Sequence, residues 1–273
     1  MHRLAASTLL ALCFMAPCAS AQRAPDTVFL EELTWVELRE LIRAGKTSVI
    51  IATAGTEQKG PHMAMGEHKY VLEHTTDKIA RALGNAFVAP IITYVPEGSW
   101  DNPRGHMTKA GTITLPNERF MVLLENAAKS LKAGGFKDII LIGDSGGNQD
   151  GMRDVAAKLN QEWKGSGSRA HFIGDYYTKS AADARTYLGG LGFAASDIGN
   201  HAGMVDTSEL MAVKPSLVRM DKRALNGGFE NSGVTGDPTK ATAEIGRAIL
   251  KIKVDNALAQ IRASLAAPME KTP

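Results

Sequence analysis

The chain has 273 residues, of which 44% are hydrophobic, and its 31 Lys and Arg nearly balance its 29 Asp and Glu. This composition excludes a disordered or fibrous chain, and the length allows one large domain or two small ones. A net charge of +2 without a basic stripe argues against nucleic acid as a partner.

Residues 1–21 have the features of a secretory signal peptide. A basic start is followed by an apolar run from Leu4 to Met15, and Ala19-Ser20-Ala21 forms a small-x-small cleavage site. The run is shorter than the roughly 20 residues that span a bilayer, although an uncleaved N-terminal anchor is the alternative. We expect cleavage after Ala21, which leaves residues 22–273 as one mature domain.

Both cysteines, Cys13 and Cys18, lie in this leader. The mature protein would then have no disulfide, no thiol nucleophile and no thiolate metal ligand. We predict an exported protein, most simply periplasmic, that has no stable membrane anchor after cleavage.

Apolar, β-branched runs alternate with amphipathic stretches along the mature chain. This alternation predicts βαβ units and a mostly parallel sheet flanked by helices, an α/β fold. In chain order, the predicted elements are strand Ser48–Ala52, helix His68–Leu83, strand Ala86–Val95, helix Glu118–Leu131, strand Asp138–Ile142, helix Met152–Trp163, strand Ala170–Ile173 and helix Ala241–Leu265.

The stretch from Gly189 to Ser208 is rich in glycine and shows no regular pattern. We predict that it forms either a lid or a site-forming loop.

Polar residues that can carry chemistry follow the first three strands. In parallel sheets the ligand site lies outside the carboxyl ends of the strands, where these loops should meet. Carboxylates and imidazoles in such loops suit a divalent ion, which lowers the pKa of a bound water and polarises a carbonyl. No HExxH pair is present, so the spacing alone is weak evidence for a metal.

Five segments of the chain carry motifs, which are Gly55 to His68, His106–Leu115, Asp144–Asn148, His201–Ser208 and Gly233–Pro238. In this order they resemble the motifs G-S-x-E-Q-H-G-P-H-L-P-L-x-T-D, H-x-x-x-x-G-T-I-S/T-L, G-H-G-G-N, H-A-G-x-x-E-T-S and G-x-x-G-D-P. These are the motifs of the creatininase (creatinine amidohydrolase) family.

The resemblance implies a single-domain layered α/β fold with a mostly parallel central sheet. It also implies a hydrolase that uses one or two divalent ions to break a C–N bond in a small or cyclic amide. A homo-oligomer, commonly a hexamer, is a further implication.

Several of the family's metal ligands are replaced here. Its first glutamate matches Glu57, but the next histidine is Lys59 and the bridging aspartate is His68. The loop histidine falls on Ser145, with Asp144 before it, and the late glutamate shortens to Asp206.

These replacements predict one ion in place of two. A carboxylate can bridge two cations with its two oxygens, whereas an imidazole binds a metal through one nitrogen. We expect Glu57, His68 and Asp144 to hold a single Zn²⁺ or Mn²⁺ ion, because three ligands and an open position are typical of catalytic zinc. Lys59 would take the charge role of the lost cation, or be a solvated loop charge.

The remaining motif residues receive roles in catalysis and substrate binding. His201 is the candidate proton carrier, Lys59 would hold an oxyanion or a substrate carboxylate, and His106 would contact the substrate or a neighbouring subunit. His62 either serves the site or stabilises its loop by hydrogen bonding. The predicted substrate-binding residues are Trp100, Ser145, Gly146, Gly147, Asn148 and Asp206.

The sequence therefore predicts a metal-dependent hydrolase in which a metal-activated water attacks a small, possibly cyclic, amide. One alternative is a catalytically altered relative that binds a small ligand without hydrolysing it. Another is lactone hydrolysis, which uses the same water activation.

Overall fold

The computed structural model describes residues 25–222 and 232–268. The predicted leader, residues 1–21, lies outside the described residues. Among the helices in the described ranges, none combines the length and apolar character needed to cross a bilayer.

The centre of the fold is a four-stranded, entirely parallel sheet with strand order β2-β1-β3-β4. Its strands are β1 (Ser48–Thr53), β2 (Ala86–Val88), β3 (Asp138–Gly143) and β4 (Arg169–Phe172). β1 pairs with β3 along its whole length, from Ser48 opposite Asp138 to Thr53 opposite Gly143. The ends of β1 and β3 therefore lie side by side, and the loops that follow them meet.

Helices cover both faces of the sheet, as expected for strands that are apolar throughout. The α-helices are α1 (Trp35–Arg43), α2 (Glu67–Leu83), α3 (Asn117–Ala133), α4 (Gln149–Glu162), α5 (Thr178–Gly190), α6 (Ala195–Ile198), α7 (Met204–Val213) and α8 (Ala243–Ala266).

Successive side chains of β1 enter two separate cores. Val49 and Ile51 pack with residues of α1, α3 and α4, whereas Ile50 and Ala52 pack with residues of α2 and α8. Each fully buried aliphatic side chain of this kind contributes about 1.5–3 kcal/mol to folding. The sheet is thus a rigid base for the loops at its carboxyl edge.

The second predicted strand is much longer than the observed one. The sequence predicts Ala86–Val95, but β2 ends at Val88. Pro90 lacks an N–H for the ladder and interrupts the pairing. Beyond it the chain stays extended, and Ile92 still donates its N–H to the Ala52 carbonyl at 2.9 Å.

The prediction of an irregular segment over Gly189–Ser208 is wrong in part. This segment holds the end of α5, all of α6 and the start of α7. Its short helices are stabilised by tertiary packing, since Ile198 and Met204 are buried in one cluster with α5 and α8. Sequence periodicity does not reveal helices this short.

Helices α7 and α8 pack closely enough to need a glycine at their crossing. A Cβ added at Gly246 would overlap the carbonyl oxygen of Ser208. This close approach sets the spacing between Glu209 on α7 and Lys253 on α8, two side chains that reach the site.

Candidate active site

A cavity of about 900 Å³ opens at the carboxyl edge of the sheet. The loop after β1, the turn after β3, the α6–α7 segment and α8 all line it. Its lining includes a cluster of ionisable side chains, which are Glu57, Lys59, His68, Glu97, His106, Asp144, His201, Asp206, Glu209 and Lys253.

Glu57 lies at the centre of this cluster and is 4% exposed. Its Oε1 lies 3.2 Å from Lys59 Nζ and 3.0 Å from His68 Nε2, and its Oε2 lies 3.3 Å from His106 Nε2. Burial by itself would raise the pKa of Glu57, but Lys59 and His68 lower it below its ordinary value. Glu57 is therefore a carboxylate at neutral pH.

The His68 imidazole lies between carboxylates on both of its edges. Nε2 faces Glu57, while Nδ1 lies 3.1 Å from Glu67 Oε2 and 3.2 Å from Asp144 Oδ2. Burial and Lys59 oppose a charge on the ring, but these carboxylates raise the pKa of His68 well above its ordinary value. His68 is an imidazolium.

The three predicted metal ligands, Glu57, His68 and Asp144, therefore lie close together, but their geometry does not suit a single ion. Glu57 and Asp144 lie at different nitrogens of the His68 ring. A histidine binds a metal through one nitrogen, so one ion cannot contact all three side chains in this arrangement.

Lys59 is almost completely buried, with 1% of its side chain exposed. Its Nζ lies 2.9 Å from Asp206 Oδ2, 3.2 Å from Glu57 Oε1 and 3.3 Å from Glu67 Oε2. Burial would lower the pKa of Lys59, but the carboxylates of Asp206, Glu67 and Glu57 raise it well above its ordinary value. Since an ammonium has three hydrogens, the predicted oxyanion contact would require one of these ion pairs to break.

A second lysine of the site, which is largely buried, comes from α8, and sequence reasoning missed it. Lys253 Nζ donates to Asp144 Oδ1 at 2.8 Å and lies 2.9 Å from Glu209 Oε1. Burial raises the pKa of Glu209 to about 8, although Lys253 opposes the shift. Burial would likewise raise the pKa of Asp144, but Lys253 and His68 lower it.

Glu97, which follows the second extended segment, was also missed. Its Oε1 accepts a hydrogen bond from Ser145 Oγ at 2.8 Å. Burial and the neighbouring Glu57 carboxylate raise the pKa of Glu97 to about 8. Glu97 therefore keeps its proton at neutral pH, beside a Glu57 that has lost its own.

The cluster balances its charges with groups of the protein. Its cations are the ammonium groups of Lys59 and Lys253 and the imidazolium of His68. They face the three carboxylates whose pKa is lowered, namely Glu57, Asp144 and Asp206.

Gln58 orients the two half-buried histidines of the site. Its Oε1 accepts from the Gly60 N–H at 3.0 Å, which places Nε2 3.0 Å from His106 Nδ1 and 2.9 Å from His201 Nε2. The other nitrogens of the two rings, His106 Nε2 and His201 Nδ1, are then directed at Glu57. Burial and Lys59 lower the pKa of His201 to about 4, so this ring is neutral at pH 7.

Within the described residues, two groups of side chains have donor atoms close enough for one metal ion. The group of Glu67, His68 and Asp144 does not fit, because lysine ammonium groups already pair with both of its carboxylates: Lys59 Nζ lies 3.3 Å from Glu67 Oε2, and Lys253 Nζ donates to Asp144 Oδ1 at 2.8 Å.

The group of Glu57, His106 and His201 does fit. Two imidazoles and a glutamate are a known catalytic zinc set. His106 Nε2 lies 3.3 Å from Glu57 Oε2 and His201 Nδ1 lies 3.6 Å from Glu57 Oε1, so the three side chains present their donor atoms to one position.

The predicted substrate-binding residues divide into those that line the cavity and those that do not. Ser145, Gly146 and Gly147 line it, as does Asp206. A Cβ added at Gly147 would overlap the Pro96 carbonyl oxygen, so this turn requires glycine.

Two others do not line the cavity. Asn148 is fully buried and donates to Thr53 Oγ1 at 2.8 Å, which ties the turn to the end of β1. Trp100 is 56% exposed and lies outside the cavity lining. His62 is also buried, with Nε2 2.9 Å from Thr207 Oγ1, which favours the loop-stabilising alternative.

A parallel sheet covered by helices, with carboxylates and imidazoles at the carboxyl ends of its strands, is typical of α/β enzymes that hold a metal ion or a small substrate at this edge. Known proteins agree with this class. A model of the creatininase family, described as creatinine amidohydrolase, matches residues 31–261. The chain belongs to the creatininase family.

Relatives and solved structures support the same assignment. A mycofactocin precursor peptide peptidase from Mycobacterium ulcerans (strain Agy99) is 27% identical over 247 residues, which cover 78% of this chain and 84% of the relative. A creatininase described as the Mn form matches with a TM-score of 0.69 at 21% identity, over 88% of this chain and 100% of that one. A creatininase mutant of Zn–Zn type matches with a TM-score of 0.70 at 21% identity, over 89% of this chain and 100% of that one.

These findings confirm the predicted family, the α/β fold class and the predicted hydrolase of C–N bonds. The family is one of metal-dependent amidohydrolases, and the two solved creatininases are Mn and Zn forms. The hexamer and the exported location stay predictions.

Proposed function

We propose that this chain hydrolyses an amide C–N bond in a small molecule or short peptide segment, with one Zn²⁺ or Mn²⁺ ion held by Glu57, His106 and His201. The observation that carries the proposal is the convergence of the donor atoms of these three side chains in the wall of the cavity. One is an ionised carboxylate and one a neutral imidazole, both ready to act as ligands. This reassigns His106 and His201 from catalysis to metal binding.

An ion at this position would polarise the substrate carbonyl and lower the pKa of a bound water. The chain's own groups supply the proton chemistry. Glu97 holds a proton beside Glu57 and would deliver it to the departing nitrogen. Ser145 Oγ donates to Glu97 Oε1 at 2.8 Å and so fixes the orientation of this carboxyl group.

The cavity accommodates more than a small ring. Its volume of about 900 Å³ is near the upper end of the 300–1,000 Å³ range of small-molecule sites. Apolar side chains also form much of the wall, including Leu115, Ile198, Val205 and Ile249. A substrate with an apolar part fits this wall, in keeping with a relative that is named a peptide peptidase.

The test is hydrolysis by the purified mature chain of creatinine, other cyclic amides, short peptides and lactones, with EDTA or with added Mn²⁺ or Zn²⁺. We expect metal-dependent turnover of at least one amide, and a loss of about 100-fold or more in the Glu57→Gln and His201→Ala variants. His74→Ala is the matched control, because His74 is exposed on α2 away from the cavity.

Two outcomes would overturn the proposal. Turnover of lactones alone would make the chain an ester-type hydrolase. Tight binding of a ligand without turnover under every metal condition would make it a binding protein.

A further inference from the structure

Two lysine ammonium groups lie inside the carboxylate cluster, each among acidic residues from different parts of the fold. Lys59 Nζ, from the loop after β1, joins Glu57 of the same loop, Glu67 of α2 and Asp206 of α7 at 2.9–3.3 Å. Lys253 Nζ joins Asp144, the residue after β3, with Glu209 of α7 at 2.8–2.9 Å.

Lys253 is on a face of α8 that is otherwise apolar. Ile245, Ile249 and Ala257 share its helical stripe at intervals of four residues, and all three are buried. Only 11% of the Lys253 side chain is exposed, and its Nζ lies 5.6 Å from the centre of the buried Tyr176 ring. An ammonium on a buried stripe is costly unless it is fully paired, so its place here indicates a specific electrostatic task.

That task resembles the one a divalent ion performs in a carboxylate site. A metal draws together acidic side chains from several chain segments, and each lysine does the same here. A lysine ammonium and a metal ion cannot occupy the same position. A metal–oxygen bond is about 2.0–2.2 Å long, and the ammonium already occupies the space between the oxygens.

We propose that Lys59 and Lys253 are built-in cations that hold these carboxylates together and close both positions to divalent ions. The chain then binds at most one ion, at Glu57, His106 and His201. The inference concerns the lysine positions and holds whichever substrate the site takes. An inactive protein that binds at most one ion would refute the proposed hydrolysis and leave this inference standing.

The first measurement uses the parent protein alone. Metal-depleted mature chain is dialysed against Mn²⁺ or Zn²⁺, and bound metal per chain is measured by elemental analysis. We expect no more than one ion. Two or more ions per chain would overturn the inference without recourse to a variant.

The second measurement uses Lys59→Met and Lys253→Met, which keep much of the side-chain length but remove the charge. In EDTA we expect each variant to unfold at a temperature lower by on the order of 10 °C, because carboxylates are left unpaired. Added Mn²⁺ should restore much of this loss and raise the bound metal by up to one ion per chain.

Lys251→Met is the matched control, since Lys251 lies two residues from Lys253 but is exposed and pairs with Asp255. It should match the parent in melting temperature and metal content. The role of built-in cations would be refuted if Lys59→Met and Lys253→Met also matched the parent in melting temperature and metal content, with or without Mn²⁺.

Discussion

Lys253 and Asp144 are 109 positions apart, yet Lys253 Nζ donates to Asp144 Oδ1 at 2.8 Å. This contact ties the last helix of the fold to the turn after β3. Because Asp144 in turn faces His68, and His68 faces Glu57, α8 takes part in ordering the centre of the site. The geometry of the site therefore depends on the packing of α8 against its neighbours.

Gly246→Ala tests this dependence. The added Cβ would overlap the Ser208 carbonyl and force α7 and α8 apart, which would separate Glu209 from Lys253. We expect a loss of about 1–3 kcal/mol in the free energy of unfolding, as for overpacked cores, together with reduced hydrolysis. Chemical denaturation and an activity assay measure both effects.

Gly189→Ala provides the control within a helix. A Cβ at Gly189 meets no atom within 4 Å, so the change should leave the protein as stable as the parent or stabilise it. If Gly246→Ala behaved in the same way, the close crossing of α7 and α8 would not control the site.

Much of the fold could be predicted from the sequence, because its strands are apolar runs bounded by clear turn signals. Ser48–Ala52 and Asp138–Ile142 were each one residue short of the observed strands. The second strand was overextended because periodicity does not register that Pro90 interrupts a ladder. The helices within 189–208 escaped notice because they depend on tertiary packing.

The site was only half predictable. The local motifs predict that Glu57, Lys59 and His201 lie at the carboxyl edge of the sheet, but a motif does not show which of their atoms are in contact. Glu97 and Glu209 carry no signal in one sequence, since acidic residues are usually exposed. Lys253 did carry a signal, because a charge in register with Ile245 and Ile249 interrupts an apolar helical stripe.

His68→Ala distinguishes the ligand set predicted from the sequence, which includes His68, from the proposed set of Glu57, His106 and His201. Removal of the imidazolium leaves Glu57 and Asp144 without a shared partner, so we expect a loss of about 3–5 kcal/mol in the free energy of unfolding. Bound metal per chain should stay as in the parent, because His68 is not one of the proposed ligands.

Denaturation curves and elemental analysis check the two outcomes separately. His74→Ala, on the exposed side of the same helix, should change neither quantity. A His68→Ala protein that folds normally but loses its ion would restore Glu57, His68 and Asp144 as the ligand set.

Glu97→Gln should change how stability depends on pH. The pKa of Glu97 is raised from 4.5 to about 8 in the folded protein by burial and by Glu57. The folded state therefore retains a proton that the unfolded state releases, and the stability this contributes is full below pH 4.5 and lost as the pH rises through 8. Glutamine does not titrate, so the variant should gain stability relative to the parent between pH 5 and pH 9.

Melting temperatures of parent and variant across this pH range provide the measurement. Glu118→Gln, at an exposed position in the first turn of α3, is the control. Its melting temperature should change with pH in the same way as that of the parent. A constant difference between Glu97→Gln and the parent at all pH values would show that Glu97 is ionised in the fold.

Gln58→Leu tests whether the ion binds where we propose. The Gln58 carboxamide lies within 3.0 Å of ring nitrogens of both His106 and His201 and so sets the direction in which the two rings face. Partners that orient metal-binding histidines typically contribute about 10–100-fold to metal affinity, and we expect a loss of that size for Mn²⁺ or Zn²⁺. Isothermal titration of the metal-depleted protein measures it, with Gln161→Leu, at an exposed position of α4, as the control. An unchanged affinity in a well-folded Gln58→Leu protein would place the ion away from His106 and His201.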